Sequence, residues 1–303
     1  MLQLNGAVPA VVAGNPLPAP RVMHGNHGAL DMSQTLLPEP IVATVHWARR
    51  QPGLQQANRM LAAEVPVAFS YNRAAHAVMM ATPEALDDFA LGFSLSEGIV
   101  RHAGEVLGIE TVVVADGIEL RITIADALED RLIARRRHLA GPMGCGLCGL
   151  ESLAEAVRAL PALPPGGAFE ACWVPQATVA LAAAQSLHHI TRSLHAAGFW
   201  QPGAGLVALR EDVGRHNALD KLCGALAGAG HDPSRGAVVL TSRVSVEMVQ
   251  KAAMLGCPVL IAVSAPTALA VRVARDCGMT LVAAARGEAF EVFSGVERLR
   301  PDG

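Results

Sequence analysis

Residues 237–263 read AVVLTSRVSVEMVQKAAMLGCPVLIAV, and this stretch decides the fold class. The apolar run Ala237–Leu240 predicts a buried strand. The polar run Thr241–Ser245 breaks it, and a helix is predicted from Val246 to Gly256, where glycine stops it. Beyond Pro258, the β-branched run Val259–Val263 predicts a second buried strand. Short continuous apolar strands belong to sheets covered on both faces. The alternation extends outwards in both directions. Further helices are expected at Glu151–Leu160, Thr178–Ala196, Asn217–Gly228 and Thr267–Cys277, and further strands at Gly205–Leu209, Leu281–Ala285 and Phe290–Phe293. The fold class is therefore α/β, and residues 150–303 are expected to form a three-layer α/β/α sandwich on a mostly parallel sheet. Ligands in such sheets favour the loops at the strand carboxyl ends.

Upstream the pattern changes. Val65–Tyr71 and His76–Met80 read as paired strands around Asn72-Arg73, and Ile109–Ala115 and Ile118–Ile124 flank the hairpin signal Asp116-Gly117. Between them Thr82-Pro83-Glu84 reads as a helix start, with a hydroxyl cap, a first-turn proline and an acid at the positive dipole end. That helix runs to Glu97, and a charged helix from Ala127 to His138 closes a small α+β domain over residues 41–140. Residues 1–40, broken by Pro9, Pro16, Pro18, Pro20, Pro38 and Pro40, read as a flexible tail.

The composition excludes several classes. With 51% hydrophobic and 17% charged residues among 303, the chain is globular. Aromatics are only 4%, so small helices must pack on a Val/Ile-rich sheet. A net charge of -3 gives no global reason to expect nucleic acid or an anionic membrane. No basic n-region precedes an apolar stretch, so a cytoplasmic location is expected. Ala252–Val271 carries no charge, but Gly256, Pro258, Ser264, Pro266 and Thr267 divide it into helix end, strand and new helix rather than a membrane span.

The most informative stretch for chemistry is residues 141–149, GPMGCGLCG, expected to be a mobile loop. Cys145 and Cys148 lie three residues apart in a glycine-dense segment just before a predicted helix. Glycines allow a partner to approach closely, and a helix start favours thiolate over thiol. Arg135, Arg136 and Arg137 upstream act in the same direction. Rival readings are weaker. Gly144, Gly146 and Gly149 match a dinucleotide fingerprint only formally, because no strand precedes them. Structural zinc needs four ligands, and no second close pair exists, so no metal is expected. None of the eleven histidines is followed two residues later by glutamate, as a zinc deaminase requires. A thioredoxin-type motif needs a βαβ setting. The remaining alternative is an inert loop.

Three more stretches sit where an α/β sheet binds ligands. Glu211–Asn217 follows a strand and opens a helix; Asp212, Arg215 and His216 form either a binding loop or a local capping network. Thr241–Ser245 places hydroxyls and Arg243 at a helix start, where phosphate can bind or Ser245 can simply cap. Arg286-Gly287-Glu288 by itself is a hairpin turn.

Together these stretches resemble one family, FdhD, the sulfur carriers required for formate dehydrogenase activity. The resemblance runs from Glu64 to Phe293 through Ala90–Phe93 with Ser96–Gly98, Cys145–Gly149, Glu211–Lys221, Glu247–Ala252 and Val263–Thr267. It implies a C-terminal domain similar to cytidine deaminases without their zinc, and a homodimer. It implies a sulfurtransferase-type carrier that takes persulfide sulfur from a cysteine desulfurase. The sulfur would pass to bis-molybdopterin guanine dinucleotide before the cofactor enters apo formate dehydrogenase. Cys145 matches the family's persulfide-forming cysteine and Cys148 its partner; the cofactor loop falls on Ala284, Ala285, Arg286, Gly287, Glu288 and Ala289. A guanine nucleotide should then bind as a cofactor fragment, with Arg215, His216, Arg243 and Arg286 near it. A chaperone that holds the cofactor without transferring sulfur is the alternative. Three departures stand out. Thr191-Arg192-Ser193 replaces the usual Thr-Gly-Gly, Thr241-Ser242-Arg243 replaces Ser-Gly-Arg, and Glu288-Ala289 replaces a glycine followed by arginine.

Overall fold

A computed structural model describes residues 36–49, 53–128, 132, 160–164 and 167–301. The first element is a two-stranded antiparallel ribbon, β1 (Ile41–Arg49) and β2 (Leu54–Ala62). Sequence patterning gave no sign of it, because neither strand buries a face: Val42, Val45, Leu54, Met60 and Leu61 are all exposed.

A four-stranded sheet follows, built from β3 (Val65–Tyr71), β4 (Ala74–Ala81), β5 (Val106–Val114) and β6 (Gly117–Ile124) in the order β4-β3-β6-β5. Both hairpins expected from the sequence form. Asn72 and Arg73 both adopt positive φ, as a tight turn between twisted strands requires, and the Asn72 amide pairs with both backbone groups of Ile124. Helix α1 (Leu86–Ser96) covers the sheet. Phe89 packs edge-on against Phe69 at 4.9 Å, within a core that includes Val67, Tyr71, Phe93 and Leu120. The expected cap at Thr82 is corrected: α1 begins at Leu86 after Ala85 in the left-handed region. Thr82 is buried and bonded to residues 130 positions downstream, which diverts it from capping. The closing helix expected over 127–138 gives a single 3-10 turn at Asp126–Leu128; apart from Leu132 the rest lies outside the described residues.

The remaining elements are β7 (Phe169–Glu170), α2 (Trp173–Ala184), α3 (Ser186–Thr191), β8 (His195–Gln201), β9 (Gly205–Asp212), α4 (Arg215–Ala229), β10 (Ala237–Leu240), α5 (Val246–Met254), β11 (Val259–Ala262), α6 (Ala268–Asp276), β12 (Thr280–Arg286), β13 (Ala289–Ser294) and β14 (Leu299–Arg300). Six of these strands form one sheet in the order β13-β12-β11-β10-β8-β9. One face, including Phe199, Leu240, Leu260 and Leu281, packs under α4, α5 and α6; the other, including Trp200, Val239, Ile261 and Val282, packs against α2. The layering is that of an α/β/α sandwich. The sheet, however, is mixed rather than mostly parallel. Parallel pairing is confined to β10–β11 and β11–β12: β8 pairs antiparallel with both β9 and β10, and β13 with β12, the β8–β9 and β12–β13 hairpins being too short for any other pairing.

The helix expected over Thr178–Ala196 also needs correction. It stops at Ala184, restarts as α3 and gives way to β8. The Glu211 carboxylate accepts the N–H groups of Leu187 and His188, and Arg192 ends α3 in the left-handed region. The alanines of His195–Gln201 suit a helix by propensity, but pairing with β9 and β10 overrides that preference. Glu151–Leu160 lies outside the described residues except for Leu160.

Candidate functional site

Strand directions gather the loops. β9 opposes β8, and β8 opposes β10, so β9 to β12 all point their carboxyl ends to one edge. Asp212–Asn217, Thr241–Ser245, Val263–Thr267 and Ala284–Ala289 therefore share that edge. Backbone bonds knit them: Val244 N–H to Ala265 O, Thr267 N–H to Val244 O, and Ala284 N–H to Ser264 O.

The first loop is set from below by buried charge. Asp212 has no solvent exposure and accepts from Gly214 N–H at 2.7 Å, Asn217 Nδ2 at 2.9 Å, Thr82 N–H at 3.0 Å and Lys221 Nζ at 2.6 Å. Lys221 Nζ also donates to Thr82 O at 2.8 Å. Burial pulls the Lys221 ammonium below its usual range, while Asp212 opposes that pull. A Cβ on Gly214 would press on the Asn217 amide at 2.7 Å, so the loop needs glycine there. A second buried cation, Lys251, lies on α5. Lys251 donates to Asp220 at 2.8 and 3.0 Å, to Ser96 Oγ at 3.0 Å and to Glu97 at 2.7 Å. Burial works against its charge, but Asp220 and Glu97 outweigh it and hold the ammonium above its ordinary value.

At the rim, His216 Nε2 lies 3.3 Å from Glu247 Oε2, which also accepts from Ser245 Oγ at 2.5 Å. The His216 contact is the main cause holding the Glu247 carboxyl at about 2, with Ser245 adding to it. Ser245 opens α5, yet its hydroxyl serves Glu247 rather than the helix end. Arg215, the first residue of α4, has a buried Nε with no hydrogen-bond partner among the described residues. His195, at the start of β8, is pushed down by its half-burial, then by the charge of Arg215 and by His188. The orphaned Arg215 Nε leaves one guanidinium donor available to an anion. Arg243 and Arg286 are exposed on the same edge. Ala284 takes φ 52 at a bulge between Ala283 and Arg286, and Gly287-Glu288 turns the chain from Arg286 back to Ala289. Arg215, Arg243 and Arg286 form no ion pair among the described residues. Asp212 bonds Gly214 N–H and Asn217 within the loop, while the start of α4 has no side-chain cap and His216 bonds Glu247 instead.

Cys145 and Cys148 lie outside the described residues. The other four cysteines are free thiols. Cys223, Cys257 and Cys277 sit in the core under α4, α5 and α6. Burial raises all three thiols, Cys257 to about 11, which removes them as nucleophiles near neutral pH. Cys172 is half-buried.

Residues 62–300 match the model of the FdhD/NarQ family. The chain belongs to the FdhD/NarQ family. It is 54% identical over 242 residues to the sulfur carrier protein FdhD of Agrobacterium fabrum, covering 80% of this chain and 89% of that one. It is 50% identical over 255 residues to the FdhD of Brucella abortus, covering 84% and 95%. Its fold is similar to a crystal structure described as a formate dehydrogenase accessory protein from Desulfotalea psychrophila, at a TM-score of 0.68 and 25% identity over 86% of this chain and 99% of the other. Among the FdhD/NarQ motif residues, sequence reasoning gave no role to Ser96, Glu97, Asp220, Lys221, Glu247 or Lys251. One signal was available: charges inside otherwise apolar helical runs, such as Asp220-Lys221 between Leu219 and Leu222, are expensive unless paired.

Proposed function

We propose that this chain carries sulfur as a persulfide on Cys145 and delivers it to the molybdenum cofactor, as bis-molybdopterin guanine dinucleotide, for a formate dehydrogenase. The observation that carries the reading is the cysteine pair. Cys145 and Cys148 stand amid four glycines, Gly141, Gly144, Gly146 and Gly149, in a chain whose relatives are named sulfur carriers and whose core cysteines are buried with raised thiol pKa values.

In this reading the Cys145 thiolate attacks the terminal sulfur of a cysteine desulfurase persulfide. A new S–S bond forms on Cys145, and the desulfurase cysteine leaves as thiolate. The Cys148 thiolate then attacks the Cys145 sulfur. A Cys145–Cys148 disulfide forms, the terminal sulfur leaves as sulfide, and the sulfide replaces an oxygen of the cofactor, released as water. A cellular thiol reduces the disulfide for the next round. The protein acts as a sulfurtransferase-type carrier in the cytoplasm and as a homodimer.

The strand-end loops hold the guanine nucleotide part. Arg215, Arg243 and Arg286 supply fork-shaped donors for diphosphate oxygens, and the starts of α4 and α5 supply N–H groups. Loading with desulfurase and cysteine should add one sulfur to the intact mass, reversed by reductant and absent in Cys145→Ser. A Cys145→Ser chain that still supports full formate dehydrogenase activity would leave the cofactor-chaperone reading in its place. A heat scan should show stabilisation by GDP greater than by ADP, and Arg286→Ala should reduce it; a hundredfold excess over the dissociation constant gives roughly 2.7 kcal/mol. Equal shifts with GDP and ADP would remove the guanine claim.

A further inference from the structure

A cavity of about 290 Å³ lies between the β1–β2 ribbon and the end of α3, lined by Thr44, His46, Arg59 and Leu61 on one side and by Arg192 and Ser193 on the other. The ribbon wall falls outside residues 62–300, the span matched by the family, so the proposed cofactor loops do not account for it. Three observations give the cavity a chemistry. Its walls are chiefly carbon, from Leu61 and the arginine stems; both arginines are exposed residues, so their heads reach solvent while their stems cover the apolar wall. His46 Nδ1 is buried there with no hydrogen-bond partner among the described residues, an arrangement that costs stability until a ligand supplies one. Arg192 holds φ 61 as the residue that ends α3, a conformation glycine adopts without strain. Strain kept at a lining position indicates that its side chain is used. The lining contains no acid, and neither Arg59 nor Arg192 forms an ion pair among the described residues.

We propose that this cavity binds a small organic anion. The apolar body fills the carbon-walled space, the carboxylate or phosphate head meets Arg59 and Arg192, and His46 Nδ1 bonds the same head. The volume stands at the small end of ligand pockets, which run roughly 300–1,000 Å³, and so fits a short acyl or single-ring body rather than a dinucleotide.

Anthranilate, a fluorescent single ring with one carboxylate head, serves as the probe on the full chain. It should bind with one fluorescent site per chain. Octanoate and octyl phosphate should displace it, which separates a carboxylate head from a phosphate head by their relative potency. Inorganic phosphate at the same concentration should not, because it lacks the apolar body. Arg59→Gln and Arg192→Gly should each weaken the probe about tenfold, the loss of roughly one charge-assisted contact. Leu61→Trp, on an exposed strand position, should block the cavity without unfolding the chain. Stabilisation by GDP should persist in Leu61→Trp. Unchanged probe affinity in all three variants, or equal displacement by phosphate and octanoate, would overturn the proposal. Loss of GDP stabilisation in Leu61→Trp would overturn the claim that the two sites are separate.

Discussion

Lys221→Met tests the physical basis of the site most directly. The wild-type ammonium has no solvent exposure, sits 2.6 Å from Asp212 and 2.8 Å from Thr82 O, and lies 5.4 Å from the Phe89 ring centroid. Methionine matches the stem and removes the charge, leaving the Asp212 carboxylate buried without its cation. Breaking a buried pair from one side costs about 3–5 kcal/mol. Three donors remain on Asp212, from Thr82, Gly214 and Asn217, which places the loss near the lower end, about 3 kcal/mol. For a chain of this size that is a fall in melting temperature of about 6–12 °C, at roughly 2–4 °C per kcal/mol. Heat scans and urea unfolding read it, with the slope on denaturant unchanged if only stability has altered. A loss under about 1 kcal/mol would refute the idea that Lys221 neutralises Asp212.

Other perturbations separate the remaining parts. Cys223→Ala and Cys257→Ala should leave persulfide loading of Cys145 intact by mass, since burial keeps both thiols protonated; loss of loading in either would move the sulfur chemistry into the core. The Glu247 carboxyl is depressed from 4.5 to about 2, so its stability is present above about pH 4.5 and lost as pH falls towards 2. Partial exposure limits this to about 1–2 kcal/mol. Glu247→Gln should abolish that portion of the acid response, and an identical acid unfolding curve would contradict it. Gly92 of α1 packs on the backbone of Asp220 and Gly224 packs on the backbone of Asp88. Gly92→Ala should therefore separate α1 from α4 and lower the melting temperature sharply, by more than the ~1–3 kcal/mol of ordinary overpacking. Metal analysis of protein purified without added metal should find no stoichiometric zinc. One zinc per chain, lost on mutating Cys145 or Cys148, would turn the pair into a structural site.

What the sequence revealed depended on the range of the interaction. Asn72-Arg73 and Asp116-Gly117 were legible because a two-residue turn is decided by its own φ preferences. β10, β11 and β12 were legible because strands covered on both faces must be apolar throughout. β8 was not, since Ala196, Ala197 and Gly198 become a strand only between β9 and β10. The β1–β2 ribbon was hidden for the opposite reason: with no fully buried position among those described on either strand, it leaves no strong periodic signature. The site shows the same division. Strand order and helix starts pointed to Asp212–Asn217 and Thr241–Ser245, but nothing local pairs His216 with Glu247, or Thr82 with Asp212 across 130 positions.

Those distant bonds explain how one loop is made rigid. Replacing a buried ion pair with well-packed apolar residues is often neutral or stabilising, so stability alone does not account for two buried lysines. Their geometry suggests another use. Lys221 meets Thr82 and Lys251 meets Ser96 and Glu97, so both ends of α1 are fixed against α4 and α5 by bonds that only one register satisfies. Glycines at 92 and 224 bring the two backbones together, and Arg210 pairs with Asp88 at 2.6 Å on the same helix. The carboxylate that receives Thr82 and Lys221 also holds Gly214 N–H, one residue before Arg215. Thr82, just before α1, and Lys221 of α4 thus meet on one buried carboxylate, and that carboxylate also bonds Gly214 and Asn217 on either side of Arg215 and His216.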